Sequence, residues 1–395
     1  MKKLVFLSIL SVIMIFGPST DSRAEVGVTK NEIVIGSHVD LSGPIASWGI
    51  YMKTGMELKA REINEAGGIY GRKIRLVIED NGYDPKKAIM VTNKMINRDK
   101  VFCFLCILGA PTSLATKQII SMAKIPQMYP ASGTTKSFLP YDRYSFGGDT
   151  PYYDQARAVV KFFVEHKKYT KIGLMYQDDE FGELVKKGVE DQLATANLKL
   201  LGAESYKRGA TEFSSQITKL RKVDPQAVVL GTVMRETVGA LKEAKEIGWK
   251  VDMGGMVTSQ SKFVPELCEK AGFSADGYYC AALTPYIYPD SPLKSVRGVW
   301  ERHVNWFGKE PDMGVTVGYR ALLFFEEAAK RAGRDLTREK LIDALETFKE
   351  VPDPVFGGAP VTYTPTDHQG GSTVCIEQIK GGRFVKVSDF IDFRK

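Results

Sequence analysis

The chain has 395 residues, of which 44% are hydrophobic and 26% charged, a balance that excludes both wholesale disorder and a protein with many membrane spans. Its 54 Lys and Arg against 47 Asp and Glu leave a formal charge of +7. The charges are interspersed, with no basic block of five or more, so nucleic acid is excluded as the expected partner.

The first segment reads as a leader. Lys2 and Lys3 precede an apolar run over 4–16, and Ser22-Arg23-Ala24 places small residues at −3 and −1 of a cleavage site. The pattern predicts a secretory signal peptide over 1–24, cut after Ala24, with an exported, soluble mature chain. The apolar run is shorter than the roughly 20 residues a spanning helix needs. No cysteine at the cleavage site suggests a lipid anchor.

Regular βα alternation follows. A buried strand is expected over 33–39, a helix over 48–65 ended by Gly67-Gly68, and a strand over 73–79. Asp84 then supplies an N-cap with Pro85 behind it, opening a helix whose apolar face is Ala88, Val91, Met95 and Ile96. A strand over 101–108, a helix over 112–123 and a strand over 127–129 complete the first run. The second run has helix 155–166, strand 171–176, helix 181–196, strand 199–206, helix 213–222, strand 227–231, helix 236–247 and strand 253–257. Strands alternating with helices of 10–15 residues imply parallel sheets covered on both faces. The fold class is α/β, with two Rossmann-like lobes built on parallel-rich central sheets.

Catalytic and metal chemistry lack support. The four histidines, His38, His166, His303 and His368, form no HExxH motif, and no GxSxG elbow is present. Asp178-Asp179-Glu180 at a strand-to-helix turn reads as complementing a helix N-terminus, not as a metal site. No cofactor is implied. Cys103 and Cys106 have CxxC spacing but sit in an apolar run, so they read as core residues. Cys268 and Cys280 flank the stretch 269–279 and either bridge a helix end to the next strand or remain free.

The chemistry left over lies in turns at the carboxyl ends of strands, where open α/β sheets bind ligands. These are 41–49, 108–113 and 130–135 in the first run, and 177–182, 232–236 and 257–261 in the second. Their small residues and hydroxyls suit backbone N–H groups approaching an anion, while each alone also suits ordinary helix capping. Trp48, at the first turn, is either core or ligand-facing. Arg235 is either a bidentate carboxylate holder or a solvated arginine at a helix start.

Leu-Ser-Gly-Pro at 41–44, Ile-Asn-Glu-Ala-Gly-Gly-Ile at 63–69, Gly-Arg-Lys-Ile-Arg-Leu at 71–76, Glu-Asp-Asn-Gly-Tyr-Asp-Pro at 79–85 and Pro-Ala-Ser at 130–132 follow in characteristic order. Together they resemble type I periplasmic solute-binding proteins of the branched-chain amino acid (leucine/isoleucine/valine-binding) family, over essentially the whole mature chain. The resemblance implies a periplasmic, monomeric clamshell with three hinge crossovers that carries a small solute to an inner-membrane ABC permease. Lobe one is expected at 25–149 plus 283–373, and lobe two at 150–282 plus 374–395. A periplasmic sensor for a signalling receptor is the alternative use of the same clamshell.

Carried over by position, Trp48 and Phe181 are expected against the ligand. Ala110 and Pro111 occupy the first carboxylate-binding turn, without its hydroxyls, and Ala131, Ser132, Gly133 and Thr134 occupy the second. Tyr152 and Met256 stand where amino-acid binders of this family place acids for the ammonium group. A buried ammonium needs a carboxylate partner. The ligand is therefore expected to be an organic or aromatic carboxylate, or an amide, unless Asp178 or Asp179 supplies the missing charge for an amino acid.

Overall fold

The computed structural model describes residues 25–394; the leader expected over 1–24 lies outside the described residues. The first sheet is built from β1 (Glu32–Val39), β2 (Lys73–Asp80), β3 (Cys103–Leu105), β4 (Gln127–Met128) and β5 (Ser145–Phe146), in the order β2-β1-β3-β4-β5 with every pairing parallel. Its helices include α1 (Ala46–Glu65), α2 (Pro85–Lys94) and α3 (Ala110–Met122). β1 is buried along nearly its whole length, as a strand covered on both faces must be. Asp84 caps α2 by accepting from the Lys87 amide at 2.8 Å, with Pro85 at the first helical position.

The chain then enters a second sheet. Here α4 (Tyr152–Glu165), β6 (Ile172–Gln177), α5 (Glu180–Thr195), β7 (Gly202–Tyr206), α6 (Ser214–Val223), β8 (Ala227–Gly231), α7 (Met234–Glu246), β9 (Asp252–Gly255), α8 (Phe263–Lys270) and β10 (Tyr279–Ala282) alternate. It returns to the first lobe as α9 (Lys294–Phe307), α10 (Met313–Ala332), α11 (Arg338–Leu345) and the hairpin β11 (Thr362–Thr364) with β12 (Asp367–Gly370). A third passage carries it back to β13 (Thr373–Lys380), β14 (Arg383–Lys386) and β15 (Ile391–Asp392). The second sheet runs β14-β13-β10-β9-β8-β6-β7, with β15 also on β13; β6 to β10 pair in parallel, and β13 to β15 antiparallel.

Two sequence expectations are shortened. In the apolar run over 101–108, only Cys103–Leu105 joins the ladder as a strand, because Cys106 turns to φ 57° and the chain bends toward a single bridge between Leu108 and Ala131. At 253–257 the strand stops at Gly255, and Val257–Ser259 forms a 3-10 turn. The possible Cys268–Cys280 bridge is absent, since all five cysteines are buried free thiols. Burial raises the thiols of Cys103 and Cys106 well above the ordinary range, which removes thiolate chemistry from the CxxC pair.

The return to the first lobe depends on a close helix crossing. A Cβ on Gly55 of α1 would overlap the Val315 carbonyl of α10, and one on Gly318 of α10 would overlap the Met52 carbonyl of α1. Only glycines let the two backbones touch. Gly318→Ala should therefore cost about 1–3 kcal/mol in urea unfolding by overpacking. Gly298→Ala in α9, where the new Cβ meets only the end of the Arg302 side chain, should be neutral or slightly stabilising.

Candidate ligand-binding cleft

In each sheet the strand order reverses beside the first strand of its run, between β1 and β3 and between β6 and β8. A crevice opens outside the carboxyl ends of strands at such a reversal. A cavity of about 60 Å³ lies there, walled by both lobes. From the first lobe come Ile45, Trp48, Tyr83, Leu108, Gly109, Ala110, Ala131 and Asp149, with Met313, Thr316, Val317 and Arg320 of α10. From the second come Tyr152, Phe181, Val233, Val257 and Thr258, and Leu283 and Thr284 line it from the segment leaving β10.

The same local device places the two aromatic walls. After β1, the Asp40 carboxylate accepts from the amides of Ser42 (3.1 Å), Gly43 (2.5 Å) and Ile45 (2.8 Å), folding the Ser-Gly-Pro turn around itself. Asp80 accepts from the Leu41 amide (2.8 Å) and the Ser42 hydroxyl (2.6 Å) and pairs with Lys87 (2.6 Å). Its burial opposes ionisation, but the bonds from Lys87, Ser42 and two amides hold its carboxyl well below the usual range. Gly49 then lies against the Asp40 carbonyl, where any Cβ would clash. Trp48, one residue earlier, is held at the cavity. In the second lobe Asp179 caps α5 by accepting from the Phe181 amide at 3.1 Å, and Gly182 lies against the Gln177 carbonyl in the same way. Phe181 is thereby set opposite Trp48, with the Tyr152 ring packed edge-on to it at 4.7 Å.

Trp48, Ala110, Ala131, Tyr152 and Phe181 thus share one cavity; Pro111, Ser132, Gly133, Thr134, Arg235 and Met256 do not line it. Pro111 is the second residue of α3. The turn at 132–134 packs on the start of α4 instead, where the Tyr152 amide donates to the Gly133 carbonyl at 2.8 Å. Arg235 is exposed on α7, and Met256 is wholly buried in the apolar core. Asp178 and Asp179 are taken up by Lys207 and Arg208, the latter at 3.0 Å. An acid in the cavity wall comes instead from Asp149, which sequence reasoning missed.

Asp149 sits just beyond β5 with its Oδ1 buried and without a hydrogen-bond partner. Desolvation lifts its carboxyl to about 6, only partly opposed by Arg320 and the nearby Tyr129 hydroxyl. Arg320 is buried, donates from Nη2 to the Ala359 carbonyl at 2.9 Å and has Nε 2.8 Å from Asp353 Oδ2. Tyr83, also missed, holds a left-handed φ of 57°, uncommon for a residue with a Cβ. Its signal was present in the Asn-Gly-Tyr-Asp turn at 81–84.

Contacts cross the cleft on several sides. The Trp48 indole donates to the Thr258 carbonyl at 3.1 Å, and Lys136 pairs with Glu180 at 2.7 Å. Ser261 donates to Asp312 at 2.5 Å, and the Arg208 guanidinium lies 5.3 Å from the centre of the Tyr83 ring. Elsewhere, burial lowers His38 to about 3 beside Asn81 and His303 to about 4 beside Thr54. Among the described residues, no helix is long and apolar enough to cross a membrane.

A family model described as periplasmic binding protein matches residues 32–383. The Leu/Ile/Val-binding protein of Escherichia coli K12 is 27% identical over 241 residues, 60% of this chain and 64% of that protein. A substrate-binding periplasmic protein from Ralstonia solanacearum superposes with TM-score 0.79 and 25% identity, covering 90% of this chain and 99% of the other. A fatty acid ABC transporter substrate-binding protein from Thermomonospora curvata superposes with TM-score 0.82 and 24% identity, covering 94% and 95%. With its two parallel-rich lobes and the cavity walled by both, the chain belongs to the periplasmic binding protein family.

Proposed function

We propose that this chain is the extracytoplasmic solute-binding component of an ABC importer, capturing a small solute between its lobes and presenting it to an inner-membrane permease as a monomer. The observation that carries this reading is the cavity itself, set at the strand-order reversals of both sheets and walled by aromatic rings from opposite sides. Most of its lining residues are apolar, so a solute with an aliphatic or aromatic body suits it. The names of two similar proteins, one for leucine, isoleucine and valine and one for fatty acid, span that range. The moving bodies are proposed as 25–149 plus 283–373 and 150–282 plus 374–395, and export as proceeding through the leader cut after Ala24.

A solute that touches both lobes stabilises only the shut form. Small-angle scattering on the mature protein should show a smaller radius of gyration with any compound that raises the melting temperature; an unchanged radius at saturation would remove the clamshell mechanism. The Trp48 ring should act as an anchor. Trp48→Ala should weaken binding by about 2–4 kcal/mol in calorimetry, as truncated aromatic anchors do, with little loss of stability because the ring is only half-buried. Severe unfolding with unaltered affinity would place Trp48 in the core instead.

A further inference from the structure

We propose that Asp149 is the recognition group for a cationic nitrogen, so that the solute taken by this cavity carries an ammonium group at its polar end and an apolar body against Trp48 and Phe181. The inference rests on the solute-binding reading of the cavity and names the class of ligand it takes.

The argument is one of charge. Among the described residues Arg320 is the only cationic one in the cavity wall, and two carboxylates face it, Asp353 and Asp149. Asp353 has Arg320 Nε at 2.8 Å and also accepts from the amides of Val355 (3.0 Å) and Phe356 (2.9 Å). The guanidinium spends a further donor on the Ala359 carbonyl. Asp149 has the more distant attraction of Arg320 and the neutral Tyr129 hydroxyl beside it, but no cation in contact, and its Oδ1 is buried without a hydrogen-bond partner.

The other titratable groups around Asp149 are Tyr129, Tyr152, Tyr363 and Cys106, and burial raises each of them, so none brings a compensating charge. The group of one arginine and two carboxylates therefore carries one excess negative charge when Asp149 is ionised. A carboxylate solute would deepen that imbalance in a dry site, whereas an ammonium cancels it. Across the cleft, Asp178 and Asp179 already have Lys207 and Arg208. The acid absent at Tyr152 and Met256 is thus supplied from a different point of the fold.

The protonation behaviour agrees with this placement. Desolvation pushes the Asp149 carboxyl up to about 6, above the ordinary carboxylate range. Because the folded value lies above the unfolded one, ionised Asp149 subtracts from stability as pH rises from about 4 through 6. Ammonium binding should weaken as pH falls through about 6, where Asp149 takes up its proton.

The test is calorimetry on the mature protein with matched pairs, leucine against 4-methylpentanoate and 2-phenylethylamine against 3-phenylpropanoate, beside thermal unfolding without any compound. At least one nitrogen-bearing member should bind at least tenfold more tightly than its des-amino partner, and Asp149→Asn should erase that preference. The same variant should raise the melting temperature of the compound-free protein at pH 7 to 8, since it removes an uncompensated buried charge. If a des-amino acid binds as tightly as its partner, the cavity still binds solutes but the ammonium assignment is overturned. A lower melting temperature for Asp149→Asn also overturns it, by making Asp149 a structural counter-ion of Arg320. Silence from every compound, together with an unchanged radius of gyration, sinks the solute-binding reading and this proposal with it.

Discussion

The binding cleft depends on two helices that start pressed against the carbonyls of the strands before them. Gly49 against Asp40 and Gly182 against Gln177 leave no room for a Cβ, so α1 and α5 begin closer to their sheets than other residues would permit. The residue before each glycine is consequently held at the carboxyl edge of its sheet, and both are aromatic. Trp48 and Phe181 meet the cavity from opposite lobes for this reason. The turn chemistry of Asp40 and Asp80 fixes the first of these helix starts, and the Asp179 cap fixes the second.

The cleft divides its energetics between walls and edges. Apolar area removed from water gives about 25 cal/mol per Å², so the aromatic walls supply most of the attraction for a solute. The contacts across the cleft are weaker. Lys136, for example, has a side chain 63% exposed in its pair with Glu180, a setting in which ion pairs contribute little. When the lobes part, a solute that bridges them tips the balance toward the shut form. The buried charges act differently: Arg320, Asp353 and Asp149 add little net attraction for an apolar body but discriminate sharply by charge.

Much of this architecture was legible because parallel sheets write themselves as apolar strands between helices. The strand at Ala227–Gly231 matches its expected limits, and the expected caps at Asp84 and in the Asp178-Asp179-Glu180 turn are present as bonded N-caps. The chain beyond residue 257 was not resolved into elements, so α10, which carries Arg320, had no place in the sequence reading. Asp149 was missed because it follows a two-residue strand with no apolar run to mark it. Its significance arises only when α10 returns across the fold to set Arg320 near it. The opposite holds at 132–134, which suits an anion site in sequence but lies outside the cavity, with Gly133 packed on Tyr152 and its carbonyl accepting from the Tyr152 amide at the start of α4.

Pulsed-EPR distance measurement between the lobes tests the central claim, that this cavity is where a solute shuts the molecule. All five native cysteines are buried, so spin labels at Met122→Cys on α3 and Lys187→Cys on α5, both exposed, report without interference. With a compound that raises the melting temperature, the account predicts a single narrow distance at the short end of the distribution, and a broader or longer one without it. Superimposable distributions in the two conditions would contradict it.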